Sequence, residues 1–248
     1  MNSLDPSREN GTPTIVEAPA KVTLSLRITG VQKNGLHTID AEMVTVDLFD
    51  TLAITEGGQG LTVVGAGPDV VDSPDNLVNR ALEFVGRQAH VELTKRIPTK
   101  AGLGGGSADA GAVLRWANHP DPAASAELGA DVPFCVRGGR ARVTGIGEQL
   151  EILRFKDLTL TLVTPPVDCP TPAVYQMWDE LGGPAGPNRN DLEQAALTVR
   201  PELAEVRDDL ARSTGQQPHL AGSGSTWFVY GSFPGEGRIV VRSVDRQR

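Results

Sequence analysis

Pro98-Thr99-Lys100-Ala101-Gly102-Leu103-Gly104-Gly105-Gly106-Ser107-Ala108-Asp109-Ala110 is the stretch on which the fold of this 248-residue chain turns. Four glycines in five positions remove the side chains that would hold a backbone away from a ligand. The amides can then converge on phosphate oxygens, and a helix that follows adds its positive N-terminal end. Ser107 supplies a hydroxyl for phosphate or for a metal ion. Other phosphate loops do not fit: no Gly-Lys-Ser/Thr closes the run, and the glycine spacing is not the dinucleotide fingerprint. From the residues alone, a plain flexible turn between strand and helix stays open beside the phosphate loop.

Working outward, Val91–Ile97 reads as a short strand entering the loop, and Ala110, Val113, Leu114 and Ala117 fit a helix that leaves it and ends near Asn118. Near the N-terminus Val22, Leu24, Leu26 and Ile28 alternate with polar residues, the period of a half-buried strand. Lys21 falls on the opposite face, where strand context alone makes it a solvated lysine. Asn34-Gly35 offers a turn toward a second strand at Met43–Leu48, and Leu61–Val64 is strand-like. Ser73-Pro74-Asp75 reads as an N-cap, a first-turn proline and an acidic residue, followed by a helical stripe of Leu77, Ala81, Leu82 and Val85. Asp131, before Val132-Pro133, reads by position as the N-cap of a short helix.

After a polar stretch, Leu158, Leu160 and Leu162 open a new strand. Helices are expected at Asp191–Leu197 and Glu202–Arg212, the second closing at Gly215, and a strand at Trp227–Tyr230 after Gly222-Ser223-Gly224. The boundary falls near Leu153. A disordered extension over residues 1–13, an N-terminal domain over 14–153 and a C-terminal domain over 154–248 are expected.

The charge of −8, from 23 basic and 31 acidic residues, gives no basic stripe, so no nucleic acid partner is expected. A small anion remains a possible ligand, because backbone amides bind phosphate whatever the net charge. Leu160–Val163 is too short to span a bilayer, and the polar Met1–Pro13 lacks the apolar stretch of a signal peptide. A cytoplasmic protein without membrane association follows as the expectation. Cys135 and Cys169 lack C-x-x-C spacing and are expected to be free buried thiols. Nothing in these patterns sets the oligomeric state.

The Pro-x-x-x-Gly-Leu-Gly-Gly-Gly-Ser-Ala string resembles the ATP loop of the GHMP kinases. The likeness continues in Pro19-Ala20-Lys21, Gly35-Leu36-His37, Leu128-Gly129-Ala130-Asp131-Val132-Pro133-Phe134, Asn190-Asp191-Leu192 and Ala221-Gly222-Ser223-Gly224, in family order from about residue 16 to about residue 231. The triple glycine before Ser107-Ala108-Asp109 is similar to one branch, whose members phosphorylate the 2-hydroxyl of 4-diphosphocytidyl-2-C-methyl-D-erythritol on the non-mevalonate route to isoprenoids.

The resemblance implies an α+β GHMP kinase fold: an N-terminal domain like domain 2 of ribosomal protein S5, then a ferredoxin-like C-terminal domain, with the active site between them. It implies ATP and Mg²⁺ as cofactors and a small cytidine-diphosphate alcohol as substrate. Asp131 matches the catalytic base and Lys21 the lysine beside it and the reacting phosphate. Asn76, Lys95 and the loop from Pro98 to Ala108 match nucleotide-contacting positions, with Ser107 also toward the metal. Thr23, Leu36, His37 and Tyr175 match the substrate side, His37 hydrogen-bonding the cytosine and Tyr175 stacking on it. Thr23 stands where an asparagine is usual, and Leu36 where a tyrosine is usual. A GHMP kinase of sugar, mevalonate or homoserine type is an alternative. A nucleotide-sensing homologue without catalysis is another, though the presence of both Lys21 and Asp131 speaks against it.

Overall fold

The computed structural model describes residues 11–65, 72–119 and 121–245. Of the extension expected to be disordered, residues 1–10 lie outside these. Residues 11–13 are exposed and belong to no regular element.

Two long strands, β1 (Thr14–Val31) and β2 (His37–Glu56), form an antiparallel hairpin around the Asn34-Gly35 turn, where Gly35 takes a φ of 83°. β2 is far longer than Met43–Leu48, the segment its periodicity suggests. Its other edge is shared by two partners. Ile39–Val44 pairs with β5 (Arg140–Gly145), and Thr51–Glu56 pairs with β4 (Ala89–Thr94). β3 (Leu61–Val64) runs parallel to β4, and β6 (Gln149–Ile152) completes the six-stranded sheet beside β5.

The first helix, α1, spans Leu77–Phe84, and its N-cap is Asn76, whose side chain accepts from the Val78 amide at 3.0 Å. Sequence pattern placed the cap at Ser73. The Ser73 carbonyl instead closes a turn onto the Asn76 amide, so Pro74 and Asp75 precede the helix. α2 (Gly105–Trp116) starts inside the glycine run and buries the continuous stretch from Ala108 to Leu114. Gly111 has a packing reason. A Cβ there would lie 2.9 Å from the carbonyl carbon of Cys135, so a bare backbone lets α3 (Val132–Arg137) approach α2 closely.

The second sheet contains β7 (Thr159–Val163), β8 (His219–Leu220), β9 (Trp227–Tyr230) and β10 (Arg238–Arg242), all antiparallel in the order β10-β7-β9-β8. That is the strand order of a ferredoxin-like unit. α4 (Thr171–Glu180), α5 (Glu193–Val199) and α6 (Leu203–Thr214) fill the first crossover, with Gly215 in the left-handed conformation ending α6 as its sequence indicates. The second crossover holds no helix. Residues 231–237 pass directly from β9 to β10 across β7, and they satisfy the buried Thr161 hydroxyl, which donates to the Gly231 carbonyl and accepts from the Phe233 amide.

The change of sheet falls after β6, near the boundary drawn at Leu153. The apolar cores, however, ignore it. One cluster joins Val22, Leu52, Leu93 and Leu114 to Leu160, Leu162 and Phe228. The other joins Leu26, Met43, Phe134 and Val143 to Leu192, Trp227 and Val229. Cys135 and Cys169 are free and buried, and burial, with the Asp131 charge behind it, pushes the Cys135 thiol up to about 12. Among the described residues, no helix is long and apolar enough to cross a membrane.

Candidate active site

A cleft of about 1040 Å³ runs between the glycine loop, the start of α1, the Lys21 segment of β1, the turn before β2, and α4. The loop hangs from the core by Ala101 and Leu103, both buried, and Leu103 accepts a hydrogen bond at 3.0 Å from the backbone amide of Lys21. Its glycines have separate jobs. Gly102 (φ 74°) meets the Gly222 turn: a Cβ would sit 2.5 Å from the Gly224 carbonyl oxygen. Gly104 (φ 70°) lies on the Lys21 stem, where a Cβ would come within 2.9 Å of Cγ. Gly105 lies over the Lys95 ammonium, while at Gly106 a Cβ would meet only Leu77 Cδ1, at 3.4 Å. Three of the four bare positions thus lie against protein atoms, and Gly106 leaves its space to the cleft. The amides of Gly105, Gly106 and Ser107 belong to the first helical turn, which has no carbonyl of its own to bond.

Lys21 is buried, not solvated. Register shifts between Pro19 and Lys21 and between Thr23 and Ser25 bracket it, and the loop and the Gly222 turn cover its face of the strand. Its Nζ lies 3.2 Å from Asp131 Oδ2 and donates to Thr23 Oγ1 at 3.2 Å. Asp131 occupies the N-cap position of α3, yet its side chain makes no capping bond. The carboxylate turns toward Lys21 and the cleft instead, with its side chain one-third exposed.

Asn190 is buried and donates to the carbonyls of Leu220 and Gly222 while accepting from the Leu192 amide. It thereby locks the Gly222 turn, and Thr226 ties the same turn to the Ala101 carbonyl at 2.6 Å. Asp191 clamps β1 through Arg27 and the Ile28 amide.

Lys95 lines the cleft but is committed below the loop, its Nζ 2.5 Å from Asp50 and 2.8 Å from Asp109. Burial pulls its pKa down, and the two carboxylates outweigh that and hold it above its ordinary value. Asp50 also accepts from the Arg96 and Ile97 amides, which fixes the run into the loop. Asp109 is left with one buried oxygen, Oδ1, that has no partner. Burial pushes its carboxyl up, Lys95 offsets this only in part, and Asp50 adds to the rise, leaving it at about 7.

The far wall holds the expected substrate residues. His37 lines the cleft with its ring centroid 4.9 Å from that of Tyr175, and Leu36 beside it is nearly half exposed. Burial, then the Asp131 charge, raises the Tyr175 phenol well above its ordinary range.

Of the positions expected to contact nucleotide or substrate, all but one line this cleft. Ala108 is the exception: its side chain lies in the core and its amide bonds the Gly104 carbonyl, because it already sits a full turn inside α2. Sequence reasoning missed Trp178 and Asp179 because it missed α4. Prolines at 170 and 172 obscured a helix start that a first-turn proline in fact favours. It also missed Asp50, a single charge inside a long strand.

Residues 76–139 match the GHMP kinases N terminal domain. The chain is 36% identical over 231 residues to the 4-diphosphocytidyl-2-C-methyl-D-erythritol kinase of Paracoccus denitrificans, covering 85% of this chain and 84% of that one. It belongs to the 4-diphosphocytidyl-2-C-methyl-D-erythritol kinase family. The kinase of that name from Cereibacter sphaeroides (strain ATCC 17025) is 38% identical, with 85% of this chain and 87% of that one covered. A crystal structure of 4-(cytidine 5'-diphospho)-2C-methyl-D-erythritol kinase superposes with a TM-score of 0.73 at 31% identity, over 93% of this chain and 99% of the other. Homoserine kinase from Cytophaga hutchinsonii, at 16% identity and a TM-score of 0.60 over 100% of this chain and 98% of that one, shares the fold.

Proposed function

We propose that the chain transfers the γ-phosphoryl group of ATP to the 2-hydroxyl of 4-diphosphocytidyl-2-C-methyl-D-erythritol, with Asp131 as base and Lys21 as the charge beside it. The observation that carries this reading is the 3.2 Å contact between these two side chains, in one cleft with the glycine loop. Phosphoryl transfer asks a protein for alignment and charge stabilisation more than for covalent chemistry. The acceptor's hydroxyl proton passes to Asp131, its oxygen bonds the γ-phosphorus, and the bond from that phosphorus to the bridging oxygen breaks, releasing ADP. The Lys21 ammonium faces the negative charge that spreads over the transferred group.

The first-turn amides of α2 suit the β- and γ-phosphates, and Asn76 and Leu77 border the space beyond them on the nucleotide side. Among the described residues no three acidic or His/Cys side chains gather into a metal cage. The Ser107 hydroxyl at the cleft fits Mg²⁺, which binds through few protein groups and the substrate's phosphates. Ser107 would hold it, and when bound it neutralises charge on the phosphates. Thr23, His37 and Tyr175 face the cytidyl alcohol, with Leu36 at the rim.

Incubating the protein with ATP and a panel of alcohols, and following ADP release, tests the reading. The cytidyl alcohol should be turned over, and mevalonate, homoserine and sugars should not. Asp131→Asn and Lys21→Ala should each lower kcat by about 10²–10⁴ while the circular dichroism spectrum stays unchanged. Near-normal turnover by either variant removes that residue from its role.

A further inference from the structure

His37 and Asp179 are 142 residues apart in sequence, yet His37 Nε2 lies 2.9 Å from Asp179 Oδ1 at the wall of the cleft. The imidazole side chain is only 10% exposed. Trp178 meets its ring edge-on at 5.7 Å between centroids, and Tyr175 lies against it at 4.9 Å. Tyr175, Trp178 and Asp179 all belong to α4, so one helix sets the position, the plane and one hydrogen bond of this ring.

A carboxylate only accepts hydrogen bonds, so the ring nitrogen facing it carries the hydrogen. In a neutral imidazole the other nitrogen is then an acceptor. Nδ1 hydrogen-bonds to no described residue. We propose that Asp179 is a specificity-determining positioning residue: it fixes His37 with Nδ1 as a bare acceptor, so this wall takes a base whose nearby edge carries an exocyclic amine rather than a carbonyl. This rests on the proposed function for the identity of the whole substrate, and it adds how the base is told apart.

Cytosine offers an amine hydrogen at its 4-position, where uracil offers a carbonyl oxygen. An amine there completes the hydrogen bond, whereas a carbonyl sets two acceptors against each other and leaves both unpaired. Sites that hydrogen-bond a substrate group reject analogues lacking it far more strongly than apolar pockets reject a missing methylene. The other two substrate-side residues do not replace that reading: Leu36 is apolar, and Thr23 is engaged with Lys21.

Two measurements test the proposal with wild type, Asp179→Ala and Asp179→Glu. The first is kcat and KM for the cytidyl alcohol and for its uridyl counterpart, with affinities for CDP and UDP by calorimetry alongside. Asp179→Ala should lose about tenfold in kcat/KM for the cytidyl substrate, mostly through KM. The cytidine-over-uridine ratio should fall by a similar factor, and Asp179→Glu should restore part of it. The second is ¹⁵N NMR of the His37 ring, which should show Nε2 protonated and Nδ1 bare in wild type. A cytidine preference within twofold of wild type in a folded Asp179→Ala protein overturns the proposal, and so does a wild-type ring protonated at Nδ1 alone. Should wild type turn over no cytidyl alcohol at all, the proposed function falls, while the CDP-against-UDP affinities still decide the role of Asp179.

Discussion

Replacing Gly104 by alanine tests the geometry of the loop more sharply than removing a catalytic group. Gly104 has a φ of 70°, and a non-glycine residue there costs about 1–2 kcal/mol. The new methyl would also stand 2.9 Å from Lys21 Cγ and 3.1 Å from Cε, where 3.4–4 Å is ordinary contact. Relief demands a shift of about 0.5–1 Å in the lysine stem or the loop. The stem leads to an ammonium 3.2 Å from Asp131. Displacements of that order in a reacting constellation cost about 10²-fold in rate. Gly104→Ala should therefore lower Tm by about 2–8 °C and kcat about 100-fold.

Gly106→Ala is the matched control. Its methyl would meet only Leu77 Cδ1, within a helical turn where alanine is the better former, so Tm should hold or rise. If the space above Gly106 belongs to the triphosphate, KM for ATP should rise all the same. Thermal melts and steady-state kinetics on the pair decide the matter. A Gly104→Ala enzyme with unchanged Tm and kcat within threefold of wild type would refute the claim that this glycine exists to let Lys21 lie against the loop.

Two further outcomes follow from the buried polar groups. Asp109, at about 7 in the folded protein against 3.8 ordinarily, holds its proton more tightly when folded. Its contribution to stability is thus present in full below about pH 4 and is lost as pH rises toward 7. Urea melts across that window should show the loss, and Asp109→Asn should flatten it; an unchanged slope would rule the carboxyl out as its source. Asn190→Ala strips two carbonyls and one amide of partners at a buried site, at about 1–3 kcal/mol for each group left unsatisfied. It should lower the urea midpoint clearly and slow turnover by loosening the Gly222 turn, and an unaltered midpoint counts against Asn190 as the lock of that turn.

The glycine loop and the elements marked by an alternation or a cap were legible because each leaves a local mark; β5, β6, α4, β8 and β10 were not read, and Lys21 and Asp131 were paired only through the family resemblance. Trp227–Tyr230 and Leu61–Val64 were read to the residue for the same reason. What stayed hidden depends on distant partners. Lys21 looked solvated because nothing on its own strand shows that a loop some eighty residues later covers it. Asp50 has no signal of its own, since its value comes from Lys95 and two amides across the sheet. Asp179 acquires a role only where α4 meets the turn before β2. The N-cap of α1 went to Ser73 because Pro74 and Asp75 suit a first turn equally well on paper, and the backbone settled on the asparagine next to the apolar stripe.

The two apolar clusters, each drawn from both sheets, have a consequence for how the cleft works. Its walls are cast as a single block: parting them like jaws would tear both cores at once, at a cost no small ligand could meet. Reactants must therefore enter through a mouth that already stands open, and any tightening around them falls to side chains and short turns. A protein built this way should lose its structure in one concerted melt, and neither half should stand when expressed without the other.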